Sequence, residues 1–396
     1  VEQWTPIKYE TLKWENKSDL QYLSRSSRSK ILSTYESSLP NIIFDKNVVL
    51  SPELDAAISD LIINISRFDI IQSQKGFSFP TVLLRSESAA SSQIENLTSS
   101  IRNIALAELS SKSPQNAQLI ARNVAAMHTA LKTSESISVT TILKIHKELM
   151  QLSPTNFAGE FRNQAVWVGG TNYSPHEAIF VPPHHSHLRY YMNDLVAYAN
   201  RYDVNPIVKA AIIHAQFETI HPFIDGNGRT GRTLIHKSLK DDGVLQTVAL
   251  PISVGLLNNT NEYMDALLSF QQGNPIPIIE QVFIALELAI VIGDKVSKEI
   301  SLIIDKWESI INEKITSSIW QLLYLLIEQP VVDSAYISNK LDISIRGANK
   351  LINRAIDYGV LRRIGNERRG IFYQSDEIIS VMDEISDLNI LRRNLD

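Results

Sequence analysis

The run HPFIDGNGRTGRT, His221 to Thr233, decides how the rest of this 396-residue chain is read. It gathers three glycines, two arginines, an aspartate, an asparagine and a histidine between segments with helical spacing. Before it, VKAAIIHAQFETI places Val208, Ile212 and Ala215 on one helical face; after it, Thr230–Leu239 continues as helix. A helix therefore ends near Ile220, glycines turn the chain, and a new helix starts near Gly228.

Four readings of the run compete. Gly226, Gly228 and Gly231 fit G-x-G-x-x-G, but a dinucleotide site needs a preceding strand and a βαβ unit, and the flanks are helical. Gly226, Gly231 and Thr233 nearly spell a P-loop, but Arg232 stands where the lysine belongs, and a planar guanidinium does not replace a compact ammonium. A plain glycine-rich helix–helix turn accounts for the glycines and nothing else. The fourth reading uses every residue. Amides of Gly226, Asn227 and Gly228 converge at a helix N-terminus, where orphan donors and the helix dipole favour an anion. Arg229 and Arg232, three apart, can both reach a polyphosphate. Asp225 supplies the single carboxylate with which Mg²⁺ is commonly held alongside phosphate oxygens and water. His221 titrates near neutrality when unperturbed and suits proton abstraction, and Phe223 anchors the loop in the core.

Working outward, 44% apolar residues allow real cores, and the length allows two or three domains. A net charge of −5 excludes a chain that coats nucleic acid overall. With no cysteine, disulfides and thiolate metal sites are excluded, and a reducing, cytoplasmic setting is expected. The polar first twenty residues do not read as a signal peptide, and the longest apolar run, Leu288–Ile292, is too short for a membrane span.

The expected fold class is all-α. Residues 1–45, rich in serine and lysine, read as a solvated leader. Residues 46–135 read as an N-terminal helical domain: Ser51 caps a helix opening at Pro52, and further helices cover Glu87–Leu109 and Pro114–Lys132. Ser138 caps the next helix and opens a domain over 136–290. Within it, Val166–Val181 reads as a β-hairpin around a Gly/Asn/Ser/Pro cluster. A connecting helix over 291–313 leads to residues 314–380, whose helix, helix, turn, helix, hairpin order is that of a winged helix. There Lys340, Arg346, Lys350, Arg354, Arg362, Arg363, Arg368 and Arg369 outnumber Asp342, Asp357 and Glu367, so DNA or a docked protein are both open as partners.

The central run resembles the Fic family motif H-x-F-x-[DE]-G-N-G-R-x-x-R in full, at His221, Phe223, Asp225, Gly226, Asn227, Gly228, Arg229 and Arg232. That resemblance implies a helical bundle with a small hairpin flap, and a protein adenylyltransferase that moves AMP from ATP to a Ser, Thr or Tyr hydroxyl of a target or of itself. It implies that His221 deprotonates the hydroxyl, Asp225 holds Mg²⁺, and the segment Gly226 to Arg232, with Thr230 and Gly231, binds ATP, Asn227 orienting the α-phosphate. The hairpin 166–181 would dock the target as an added strand. Upstream, SSQIEN resembles the family's inhibitory motif [ST]-x-x-x-E-[GN] at Ser91, Glu95 and Asn96, implying that Glu95 pairs with Arg232 and blocks the γ-phosphate position. LLNNTNEYMDAL resembles its adenine-side segment: Asn259 and Tyr263 match, Thr260 and Met264 depart. The same site could also run AMP removal, with Glu95 aligning a water. A rival of another class is a DNA-binding regulator whose Fic-like domain senses nucleotide without turnover; His221 and Asp225 count against it, since a sensor needs neither.

Overall fold

Helices build most of the chain, but it opens on a sheet. The structure, a computed structural model, describes residues 4–15, 23–75, 79–152, 157–365 and 370–386. β1 (Lys8–Lys13) and β2 (Thr34–Leu39) pair antiparallel, Lys8 opposite Leu39 and Lys13 opposite Thr34, with the short α1 (Arg25–Ser29) between them. The described part of the expected leader is therefore a built element: Tyr35, Ser37 and Ser38 are buried, and the Ser38 amide donates to the Val181 carbonyl at 3.1 Å. The strand period was hidden because two of its buried positions are serines, which give no apolar alternation.

α2 (Pro52–Ser73) starts at the expected cap, Ser51 Oγ accepting from the Leu54 amide. α3 (Phe79–Ile94) and α4 (Ile101–Ala107) replace the single helix expected over Glu87–Leu109. The break is at Asn96, whose φ of 63° is left-handed, a conformation asparagine tolerates better than most residues. The Leu97 amide returns to Ser92 O at 3.0 Å, closing the turn. α5 (Gln115–Lys132) and α6 (Val139–Met150) follow, the latter capped by Ser138.

α7 (Leu188–Ala199) and α8 (Pro206–Ile220) lead to the glycine loop. α8 is apolar nearly all round and nearly all buried, as a central helix must be. α9 (Asn227–Asp241) lies along it and is just as buried despite its polarity. Its polar groups are paired: His236 Nε2 meets Leu250 O at 2.7 Å, and Lys237 pairs with Asp241. α10 (Ile252–Asn258), α11 (Thr260–Gln271) and α12 (Ile276–Ile310) complete the body. The expected boundary at residue 290 falls inside α12, one continuous helix. α12 has the length and composition to cross a membrane; here one face, including Val282, Leu286, Ala289 and Val296, is buried in the core.

The C-terminal unit runs α13 (Ser318–Glu328), β3 (Val331–Val332), α14 (Ser334–Leu341), α15 (Ile345–Asp357), β4 (Arg362–Ile364), β5 (Phe372–Gln374) and α16 (Asp376–Ser386), with strand order β3-β5-β4. Much of its expected basic patch is committed within the chain: Arg354 to Glu313 at 2.8 Å, Arg362 to Asp376, Lys340 to Glu328 at 3.9 Å. Arg368 and Arg369 lie outside the described residues. The unit also grips α3. Buried Arg85 donates to Glu108 at 2.6 and 2.8 Å, to Gln329 Oε1 at 2.6 Å and to the Glu328 carbonyl.

Candidate active site

A cavity of about 930 Å³ opens where α8, the glycine loop and α9 meet the ends of α3 and α11. His221 caps α8 with φ 49° and ψ 61°, its amide donating to Phe217 O at 2.8 Å. A left-handed histidine is uncommon and costs about 1 kcal/mol or more, so the surroundings must hold it. Arg162 does: its Nε donates to the His221 carbonyl at 2.8 Å, and its Nη2 to Pro183 O at 2.6 Å. The His221 ring is about one-fifth exposed, at the cavity wall. Burial pushes its pKa down to about 4, with the Arg162 guanidinium adding to the effect.

Gly226, with φ 78°, turns the chain into α9. The Asn227 side chain fixes the loop from inside, accepting from the Phe223 amide and donating to the Phe223 carbonyl, both at 2.9 Å. His146 supports it from below. Its ring stacks on Phe223 with centroids 3.6 Å apart, and its Nδ1 accepts from the Gly159 amide at 3.0 Å. Nε2 therefore carries the proton and donates to the Asp225 carbonyl at 3.0 Å. Burial holds this imidazole neutral, its pKa near 4.

Glu95 reaches into the loop from just beyond α3. Its Oε2 accepts from Arg229 Nε at 2.7 Å and its Oε1 from Arg232 Nη2 at 2.9 Å. Ser91 completes the clasp, its hydroxyl accepting from Arg232 Nε at 2.8 Å and its carbonyl from Nη2 at 2.7 Å. A Cβ on Gly228 would lie 2.4 Å from Glu95 Oε1, so glycine is what lets the carboxylate approach the start of α9. Glu95 thus bridges the two guanidiniums beside the start of α9. Both guanidiniums are almost fully buried, where a paired charge counts for more than at the surface.

Residues 136–239 match the family described as Fic/DOC. They form a Fic domain. Over 124 residues the chain is 31% identical to protein adenylyltransferase fic-1 of Caenorhabditis elegans, a match covering 31% of this chain and 22% of that protein. Over 154 residues it is 29% identical to protein adenylyltransferase Fic of Aedes aegypti, covering 38% and 28%. The chain thus spans under a third of the length of these curated relatives. A Fic family protein from Desulfovibrio desulfuricans G20 shares the fold across 83% of this chain and 97% of its own, with a TM-score of 0.53 and 20% identity.

The Fic domain brings most of the expected residues to the cavity and leaves some out. His221, Asp225 to Arg229, Arg232, Glu95 and Tyr263 line it. The Asn227 side chain is hydrogen-bonded both ways to the Phe223 backbone. Thr230 is buried beneath the loop, and neither it nor Gly231 lines the cavity. Asn259 does not reach it either: it caps α11, its side chain accepting from the Glu262 amide at 3.4 Å. The α11 wall lies further along the helix, at Met264, Leu267, Leu268 and Gln271. Tyr263 points its hydroxyl to His214 Nε2 at 2.8 Å. The hairpin is narrower than expected, joined at the single bridge Val168–Phe180, with a 3₁₀ turn at Pro175–Glu177. Sequence reasoning missed Arg162, His146 and Glu218. Glu218 stands beside Phe217 in a helix that is apolar nearly throughout, and its neighbours become visible only in the fold.

Proposed function

We propose that this chain is a protein adenylyltransferase held in check by its own Glu95. One observation carries the reading: a carboxylate just beyond α3 bridges Arg229 and Arg232 at the start of α9, with the His221 ring on the same cavity. An ATP molecule in this cavity would set its phosphates against the loop amides and both arginines once Glu95 withdraws. His221 takes the proton of a Ser, Thr or Tyr hydroxyl as that oxygen attacks the α-phosphorus and pyrophosphate departs. Its low pKa keeps the imidazole neutral and able to accept. The arginines and amides stabilise the charge that builds on the phosphates, and the loop fixes their position.

Asp225 suits Mg²⁺. Its side chain is exposed at the cavity, with Oδ1 taking the Gly226 amide at 2.6 Å and facing Arg229 Nη2 at 3.4 Å. Among the described residues no cluster of three or more candidate ligands stands together. One protein oxygen with phosphates and waters is the coordination this small cation commonly takes. When bound, the ion would neutralise phosphate charge. The target segment would pair beside Val168 and Ile179, both exposed at the cavity's rim.

The test is intact-mass measurement of the Glu95→Gly chain with ATP and Mg²⁺. The expected result is a covalent AMP adduct on the chain or on an added target, forming at least ~10-fold faster than with Glu95 present, as release of two clamped arginines implies. Equal rates with and without Glu95 would remove the restraint from the reading.

A further inference from the structure

The mechanism above leaves one buried acid unused. Glu218 sits in the last turn of α8, three residues before His221, with its side chain 12% exposed. The left-handed turn at His221 folds the ring back over this residue: Nδ1 lies 3.3 Å from the Glu218 carbonyl and 3.7 Å from its Oε2. The other carboxyl oxygen, Oε1, is buried with no hydrogen-bond partner. It points at the place where Gly231 lacks a side chain, since a Cβ there would lie 2.5 Å from Oε1. Gly231 does not line the cavity, so closeness to a phosphate does not explain it; room for this carboxyl does.

His214 Nδ1 is also buried, and it lies 3.0 Å from the same point above Gly231. The Tyr263 hydroxyl meets the other nitrogen of this ring, Nε2, at 2.8 Å.

We propose that Glu218 is a positioning residue for His221, its carboxylate holding the Nδ1 side of the ring and balancing the charge the ring gains when Nε2 takes the hydroxyl proton. This rests on the AMP-transfer reading. In that step the proton passes from the attacking oxygen to Nε2 and the O–P bond forms. The bond to pyrophosphate breaks with its electron pair on the leaving group, and the imidazolium later returns its proton to solvent. An imidazolium in a buried wall needs a counter-charge, and Glu218 is the carboxylate nearest its Nδ1. A purely structural glutamate would be served as well by the isosteric amide.

The charges around Glu218 set its working range. Burial pushes its pKa up to about 7; Arg232 on α9 pulls it down, and Glu95 beyond α3 pushes it up. His214, on the same helix, is held neutral by burial, its pKa near 3, and burial also keeps Tyr263 of α11 protonated. Arg162 bears on the His221 ring. Below the Glu218 pKa the carboxyl is protonated and offers the ring no charge, so transfer slows there, well above the point at which His221 itself would protonate.

The experiment uses the full chain carrying Glu95→Gly, ATP labelled at the α-phosphate, and rates measured from pH 5 to 9. Adding Glu218→Gln is expected to lower kcat at pH 8 on the order of 10²-fold. KM for ATP should stay within about twofold, and the acid limb should move down by more than about one pH unit. Glu218→Asp should recover part of kcat and the original limb. Melting curves confirm that each variant is folded. A Gln variant with unchanged kcat and an unchanged limb, or one that changes only KM, overturns the proposal. Absence of transfer from the Glu95→Gly parent overturns the reading beneath it, and the proposal with it.

Discussion

The two ends of the cavity are built in opposite ways. The polar end comes from one short stretch, Asp225 to Arg229 with Arg232, closed by Glu95. The apolar lining away from that stretch comes from three separate places: Ile94 and Leu97 around the end of α3, Leu119 on α5, and Leu267 and Leu268 on α11; Leu149 and Met150 of α6 pack against Gly226 instead. Recognition of phosphate needs directed donors, and a helix N-terminus can supply them within one turn. A wall for a flat apolar ring needs only area, which several elements share. The first requirement leaves a signature in residue types; the second uses the same leucines and methionines that fill any core.

If the polar end carries the chemistry, its largest effect comes from His221. In the Glu95→Gly chain, His221→Ala should cut AMP transfer by about 10³-fold or more, the upper range for a positioned base. ATP affinity should change by less than about threefold, because the amides and arginines remain. A residual rate within tenfold of the parent would mean that positioning alone drives the step and that the histidine is dispensable.

The apolar end should show the reverse split. Leu268→Gln puts an amide on the α11 side of the cavity lining. Leaving that amide unpaired beside a nucleobase costs about 1–1.5 kcal/mol, so KM for ATP should rise roughly tenfold while kcat holds. A fall in kcat with KM unchanged would place the reacting end of the nucleotide here and invert the assignment of the two ends.

How much of this was legible follows from the same division. The helix–loop–helix at 220–228 and the caps at Ser51 and Ser138 stood in the sequence because each depends on neighbours within a few residues. Glu95 was legible through its short motif, and the structure adds why Asn96 follows it: the left-handed turn ends α3 and frees Glu95 to bridge both arginines. What stayed hidden depends on distant partners. β1 and β2 pair across more than twenty residues with serines facing inward. Arg162 works on carbonyls of Pro183, Ile220 and His221, so nothing near it in sequence announces it. Glu218 was overlooked because its helix reads as core throughout, and a lone acid there looks like surface until its burial is seen.

Asn259 gives the smallest effect and the sharpest test of resemblance against geometry. The sequence match sets it at the adenine side; the structure turns it to the Glu262 amide as the cap of α11, at a long 3.4 Å. A weak cap removed by Asn259→Ala costs ~0.5–1 kcal/mol, a fall of at most a few degrees in melting temperature for a chain of this size. KM for ATP should stay within about twofold, since Met264, Leu267 and Leu268 further along α11 form the wall. A tenfold rise in KM with an unchanged melting temperature would show that Asn259 swings to the nucleobase on binding, moving the boundary between the polar and apolar ends back along α11.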